Sequence, residues 1–183
     1  MRRYDGVVLY GPPASGKDTI TQELVGLDAA YVHFAKLKAG TGRTAGYRLS
    51  SAEELDALRA KSQLIHEITR YGATYAVDTP HLDELLKAGL IPIVHMGQLA
   101  GVDALQRHSV RWLDVLLWCP RDVTEQRLRQ RGSSDVARRL VAWDETLADL
   151  TVGGGEPRFT LALRTDALPP TAAAGIIHRA LIS

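Results

Sequence analysis

One short stretch constrains this chain more than any other. Gly11-Pro12-Pro13-Ala14-Ser15-Gly16-Lys17 stands between an apolar run, Gly6-Val7-Val8-Leu9-Tyr10, and a segment where Ile20, Leu24 and Val25 recur at helical spacing. A buried strand that turns through glycines into a helix leaves backbone N–H groups converging on one point, and the helix start adds partial positive charge there. Such a turn cradles a chain of phosphates, and a lysine at its end reaches the β- and γ-phosphates. The bland alternative, a glycine turn with a solvated lysine, does not account for the flanking patterns. Loops of this kind follow the lysine with a hydroxyl residue that binds magnesium. Here Asp18 follows, then Thr19. Asp18 either holds Mg²⁺, directly or through water, or is simply an acid favoured in a first helical turn. Thr19 faces the α-phosphate or is an ordinary helix residue.

The rest of the chain alternates strand and helix patterns. Strands are expected at 30–34, 74–78, 90–96, 113–119 and 159–163, with 36–47 as a loop or small hairpin. Helices are expected from Lys17, from Ser50 through Ile68 with Glu53 completing a capping box, from Thr79 as N-cap to Gly89, near 102–106, at 123–130, 136–150 and 172–181. Short Val/Ile/Leu strands between helices specify a parallel sheet covered on both faces. The fold class expected is α/β, a P-loop nucleoside triphosphate hydrolase-type three-layer α/β/α arrangement with a parallel sheet.

Composition sets the outer limits. The 183 residues fit one domain, 45% are apolar, and the formal net charge is +1. That balance calls for neither a nucleic acid nor a membrane surface as partner. Cys119 is the only cysteine, so no internal disulfide or multi-cysteine metal site forms. With no signal-like or membrane-spanning stretch, the expected location is the cytoplasm. Nothing in the sequence sets the oligomeric state.

Phosphoryl transfer needs cations beyond one lysine. Arg121, Arg127, Arg129, Arg131, Arg138 and Arg139 flank Gly132-Ser133-Ser134, a pattern suited to a hinged flap that closes over ATP. The competing reading is a solvated basic helix paired with Asp122, Glu125 and Asp135. His95 and Asp78 both end strands, at the edge where α/β proteins bind ligands. His95 reads first as a hydrogen-bonded core histidine and second as a contact to the acceptor or to a metal-bound water. Asp78 either positions the acceptor or a magnesium water, or caps the helix that follows.

The loop, with Arg127-Leu128-Arg129-Gln130-Arg131-Gly132 and Ala137-Arg138-Arg139-Leu140, resembles the guanylate kinase family. Gly46-Tyr47 with Ser51-Ala52-Glu53-Glu54-Leu55 is similar to that family's Gly-x-Asp-Tyr-x-Phe stretch. Ile65-His66-Glu67 and Tyr71-Gly72-Ala73-Thr74-Tyr75 resemble its acidic residue and Tyr-Gly-Thr strand. The resemblance implies a core at 1–34, 76–122 and 141–183, an acceptor-binding region near 35–75 and a lid near 123–140. It implies MgATP as donor and a small phosphorylated acceptor. The ATP-binding residues expected are Gly11, Pro12, Pro13, Ala14, Ser15, Gly16, Lys17, Asp18, Thr19, Arg127 and Thr165. Lys17, Arg131 and one of Arg138 or Arg139 match groups that stabilise the transferred phosphoryl. Lys38, Arg43, Tyr47 and Tyr75 match acceptor-phosphate contacts, and Glu67 a contact to guanine.

The departures cluster on the acceptor side. Lys36-Leu37-Lys38 and Arg43 replace Thr-Thr-Arg-x-x-Arg, His95-Met96-Gly97-Gln98 replaces Glu-Ile-Asp, and Tyr75-Ala76-Val77 replaces Tyr-Gly-Thr. Gly-Lys-Asp and the missing Glu-Ile-Asp also resemble the ribose bisphosphate kinase branch, whose acceptor is a sugar phosphate. The alternatives are that branch, a guanylate kinase-like binding module without catalysis, and a hydrolytic nucleotide switch. The last lacks the acid it needs at His95.

Overall fold

The computed structural model describes residues 2–42, 44–70 and 72–183. Its centre is a five-stranded sheet in the order β2-β7-β1-β8-β9: β2 is Tyr31–His33, β7 Ile91–Met96, β1 Gly6–Tyr10, β8 Trp112–Trp118 and β9 Leu161–Arg164. Every pairing in it is parallel. Strand β1 lies between β7 and β8 and is buried along its whole length.

Alternation along β1 divides the core into two. Val8 and Tyr10 join Val94, Met96 and Leu116 against α3 (Thr79–Lys87) and α4 (Leu99–Gln106). Val7 and Leu9 join Ile93, Val115 and Leu117 against α1 (Lys17–Leu27) and α7 (Pro170–Ile182). Helices therefore cover both faces, which is the three-layer arrangement expected from the strand and helix alternation. The Gly11–Lys17 turn projects from the carboxyl end of β1, where parallel sheets place their ligands.

A second sheet has the order β4-β3-β6-β5, with β3 at Leu37–Gly40, β4 at Arg48–Leu49, β5 at Leu64–Arg70 and β6 at Ala73–Asp78. Helix α2 (Ala52–Ala60) packs Leu55 and Leu58 on Leu37, Ala39 and Ala76. Three local expectations change here. Residues 36–47 are not a hairpin, because β3 and β4 run parallel. The helix from Ser50 stops at Ala60, and 64–70 is a strand antiparallel to β6. Leu64, Ile65 and Ile68 satisfy a helical stripe and a strand equally, and β-branched Ile68 and Thr69 find ladder partners in β6 at Tyr75 and Thr74. The capping box is Ser51 with Glu54, at 3.1 and 3.0 Å. The sequence Ser-Ser-Ala-Glu-Glu offers the motif in two frames, and the helix takes the later one.

A fourth change concerns α3. Its N-cap is Asp78, not Thr79: the carboxylate accepts from the His81 amide at 3.2 Å. Beyond β8, α5 (Arg121–Gln130) and α6 (Val136–Val152) flank the Gly132-Ser133-Ser134 break. Tyr10 ties α6 to the sheet, its hydroxyl 3.2 Å from both the Thr146 carbonyl oxygen and Asp149 Oδ2.

Candidate functional site

The loop from Gly11 to Lys17 owes its path to two positions. A β-carbon at Gly11 would stand 2.2 Å from the Leu117 carbonyl oxygen, so only glycine lets the loop lie this close to β8. Gly16 caps α1 with φ +93°, a left-handed conformation that costs other residues roughly 1–2 kcal/mol. Ala14 takes the same region at φ +56° without being glycine, a strained geometry of the kind found at ligand sites. The first amides of α1 have no carbonyl partner within the helix and open outward. Ser15 is fully buried beneath the loop.

Lys17 folds back over this loop. Its amine donates to the carbonyls of Gly11 and Pro12, at 2.7 and 2.8 Å, and lies 3.2 Å from Ser15 Oγ. Burial lowers its pKa to about 8, against the raising effect of Asp18. A cleft of about 280 Å³ opens beside the loop, and Gly16, Thr19, Arg127, Arg131 and Thr165 line it. Arg127 braces it: Nη1 donates to the Ala14 carbonyl and to Thr165 Oγ1, both at 3.1 Å, and Nη2 donates to the Thr165 carbonyl at 2.6 Å. Of the residues expected to bind ATP, Gly16, Thr19, Arg127 and Thr165 line this cleft, while Asp18 lies against His95. Arg131 reaches the same cleft. Arg138 and Arg139 do not line it; they sit in the first turn of α6, where Asp135 holds Arg139 at 2.7 Å.

Asp18 is exposed and lies 3.5 Å from Nδ1 of His95. His95 Nε2 is 2.7 Å from Thr21 Oγ1, and its ring lies 4.6 Å from that of His33. Burial, then His33, Lys17 and Lys36, hold His95 well below the usual histidine range, so it is neutral near pH 7. Among the described residues no three His, Cys, Asp or Glu side chains converge as a metal site. The donor set still fits magnesium: one carboxylate beside a phosphate cradle leaves the other positions to phosphate oxygens and water, as this ion prefers.

The expected acceptor residues do not all share one side of the small sheet. Residues paired directly across strands point to the same face. Lys38, Tyr75 and Ile68 are in register on one face; Leu37, Ala76 and Glu67 are in register on the other, against α2. Glu67 is thus on a strand, not a helix, and its carboxylate is engaged by Arg59 at 2.9 and 2.7 Å. That guanidinium, which also binds Asp56, holds the acid below the ordinary glutamate range. Its neighbour His66 takes the Tyr75 side and abuts α4, where a β-carbon at Gly101 would come within 3.2 Å of its ring. Tyr47 and Tyr75 pack with ring centroids 5.2 Å apart. Lys38 is buried, its amine on the carbonyls of Gly40 and Thr41 at 3.3 and 2.5 Å. Asp78 is buried and bound by Arg48. Arg43 lies outside the described residues.

Lys36 is the residue that the sequence reading passed over. Among the described residues its amine meets only Met96 Sδ, at 3.4 Å. Burial and the charge of Lys17 lower its pKa to about 8. It in turn depresses His33, His66 and His95. Its only signal in the sequence was its place in the stretch that departs from the guanylate kinase pattern.

No family model matches the chain, and no curated protein sequence does. Solved structures do. Guanylate kinase from Anaplasma phagocytophilum superposes with a TM-score of 0.66 at 14% identity, over 100% of this chain and 90% of its own. An unliganded sugar kinase from Janibacter sp. superposes with a TM-score of 0.56 at 19% identity, over 97% of this chain and 92% of its own. The chain has the fold of P-loop kinases.

Proposed function

We propose that this chain is an ATP-dependent phosphotransferase that moves the γ-phosphoryl of MgATP to a small phosphorylated acceptor. The observation that carries the reading is the pair Lys17 and Lys36. Two half-buried ammonium groups lie within electrostatic reach of each other, and among the described residues no carboxylate is bonded to Lys36. Buried charges are costly unless paired. An oligoanion between these two amines supplies the missing counter-charge to both.

The residues divide the work accordingly. Lys17 and the opening amides of α1 hold the β- and γ-phosphates, while Arg127 and Arg131 line the side of the cleft that receives the nucleoside. Lys36 neutralises the acceptor phosphate and brings it up to the γ-phosphorus. An oxygen of that acceptor forms the new bond to phosphorus, the bond to the β–γ bridging oxygen breaks, and ADP departs. A phosphate oxyanion attacks without losing a proton, so the mechanism needs no general base. Asp18 would hold magnesium, which, when bound, neutralises charge on the phosphates.

One observation favours a sugar phosphate over GMP within this class. Glu67, the acid assigned to guanine, faces α2 and is occupied by Arg59, while Tyr75 faces the other way. The test is ADP release with GMP, other nucleoside monophosphates, ribose phosphates and free nucleosides as acceptors. Turnover with a phosphorylated acceptor, with GMP poor, is expected. Turnover confined to unphosphorylated acceptors, or ATP hydrolysis that no acceptor stimulates, would overturn the proposal.

A further inference from the structure

His95 ends β7 beside the phosphate loop, and two neighbours determine how its ring is used. Thr21 Oγ1, one turn into α1, lies 2.7 Å from Nε2. Asp18 Oδ1 lies 3.5 Å from Nδ1. A hydroxyl can donate or accept, but a carboxylate only accepts. The tautomer with a bare Nδ1 would set a lone pair against the carboxylate. The arrangement that satisfies all three groups has the Thr21 hydroxyl donating to Nε2 and Nδ1–H directed at Asp18. The Asp18 side chain is 72% exposed and that of His95 only 16%, so the ring is the fixed member and the carboxylate the movable one.

We propose that His95, held by Thr21, is a positioning residue that orients the Asp18 carboxylate as a magnesium ligand beside the bound phosphates. A hydroxyl, an imidazole and a carboxylate then form a chain whose outer end is the metal ligand. Groups that orient a metal-bound carboxylate or histidine typically contribute 10- to 100-fold in metal affinity. The inference rests on the phosphoryl-transfer reading, and it assigns a use to a histidine that the transfer chemistry leaves idle.

The test measures binding, not turnover. The dissociation constant of a non-hydrolysable ATP analogue is determined by calorimetry in Mg²⁺ and in EDTA, and the ratio of the two reports the metal's contribution. His95→Asn keeps an N–H near the place of Nδ1 and is expected to hold the ratio within about threefold. His95→Gln, whose amide lies nearer the place of Nε2, lowers the ratio about tenfold or more. Thr21→Val, which keeps the shape and removes the hydroxyl, lowers it in the same direction and carries the test if His95→Gln does not fold. Asp18→Ala removes most of the metal dependence, and adding His95→Gln to it has no further effect. An unchanged ratio in His95→Gln and Thr21→Val, or a further loss in the Asp18→Ala background, overturns the assignment. Wild-type binding that ignores magnesium overturns it too, while leaving the phosphate loop intact. A wild-type protein that binds no analogue in either buffer defeats the phosphoryl-transfer reading itself.

Discussion

Arg127 donates to the carbonyl oxygen of Ala14 at 3.1 Å, across 113 residues of chain. The contact fastens the helix after β8 to the strained point of the phosphate loop, and the second arm of the same guanidinium fastens both to Thr165. Arg127→Lys keeps the charge but loses the planar fork. We expect it to weaken ATP binding by about tenfold and to lower stability by about 1–2 kcal/mol, the worth of one or two lost hydrogen bonds. Calorimetric titration and thermal unfolding check the two parts separately. Unchanged affinity in a normally folded variant would mean that Arg127 braces the loop without serving the ligand.

Lys17→Ala removes the amine that caps the loop. Turnover is expected to fall by a factor of roughly 10² to 10³, as when one preorganised donor to a developing charge is lost. The fold survives, because the amine's partners are loop carbonyls that water can satisfy in its place. Single-turnover kinetics on a protein with an unaltered circular dichroism spectrum decides the matter.

Lys36→Met pulls function and stability in opposite directions. Methionine matches the length of the lysine stem and packs naturally on Met96, while an unpaired half-buried charge disappears. Ligand-free stability should rise or hold. The KM for the phosphorylated acceptor should climb by about 10- to 100-fold, the equivalent of one lost charge-assisted hydrogen bond. A variant that is destabilised and has an unchanged acceptor KM would remove Lys36 from the site.

The same lysine makes stability depend on pH. Its pKa is about 8 in the folded protein, against an ordinary value of 10.5. Between these values the unfolded chain binds a proton that the folded chain does not, so folding becomes more favourable as pH rises through this window. Below pH 8 both forms are protonated and the slope vanishes. Lys17 behaves in the same way. Denaturant midpoints from pH 7 to 10 should therefore rise more steeply for wild type than for Lys36→Met. Affinity for a polyphosphate should move the other way and weaken above pH 8, as the amines lose the charge that the ligand needs.

Asp78 carries a cap and an ion pair at once. Asp78→Asn keeps an oxygen for the His81 amide and loses the charge facing Arg48. Asp78→Ala loses both and should cost about 1 kcal/mol more, the usual worth of an N-cap. Equal unfolding free energies for the two variants would show that the cap contributes nothing here.

Strands β1, β7 and β8 were legible because each is a short apolar run followed within two residues by glycine or proline, and local pattern suffices for that. The small sheet was not. Leu64, Ile65 and Ile68 suit a helix as well as a strand, and only pairing with β6 decides between them. That one misreading put Glu67 on the wrong element. A strand's faces alternate at every residue, so a motif match displaced by one position exchanges Glu67 for His66 and one side of the sheet for the other. The phosphate loop and Arg127 could be found from residue types at fixed spacing. Lys36 could not, because what distinguishes it is the lack of a carboxylate partner among the described residues, which no spacing records.

Pro12 and Pro13 give the loop a further character. Neither has an amide hydrogen to offer a phosphate, so the donors are concentrated at the helix end of the turn, and both have φ fixed by their rings. The loop therefore gives up much of its freedom in the unfolded chain rather than at the moment of encounter. A polyphosphate arriving there has little disorder to quench, and the entropy of ordering that binding must otherwise overcome falls on whatever part of the molecule still has to close around it.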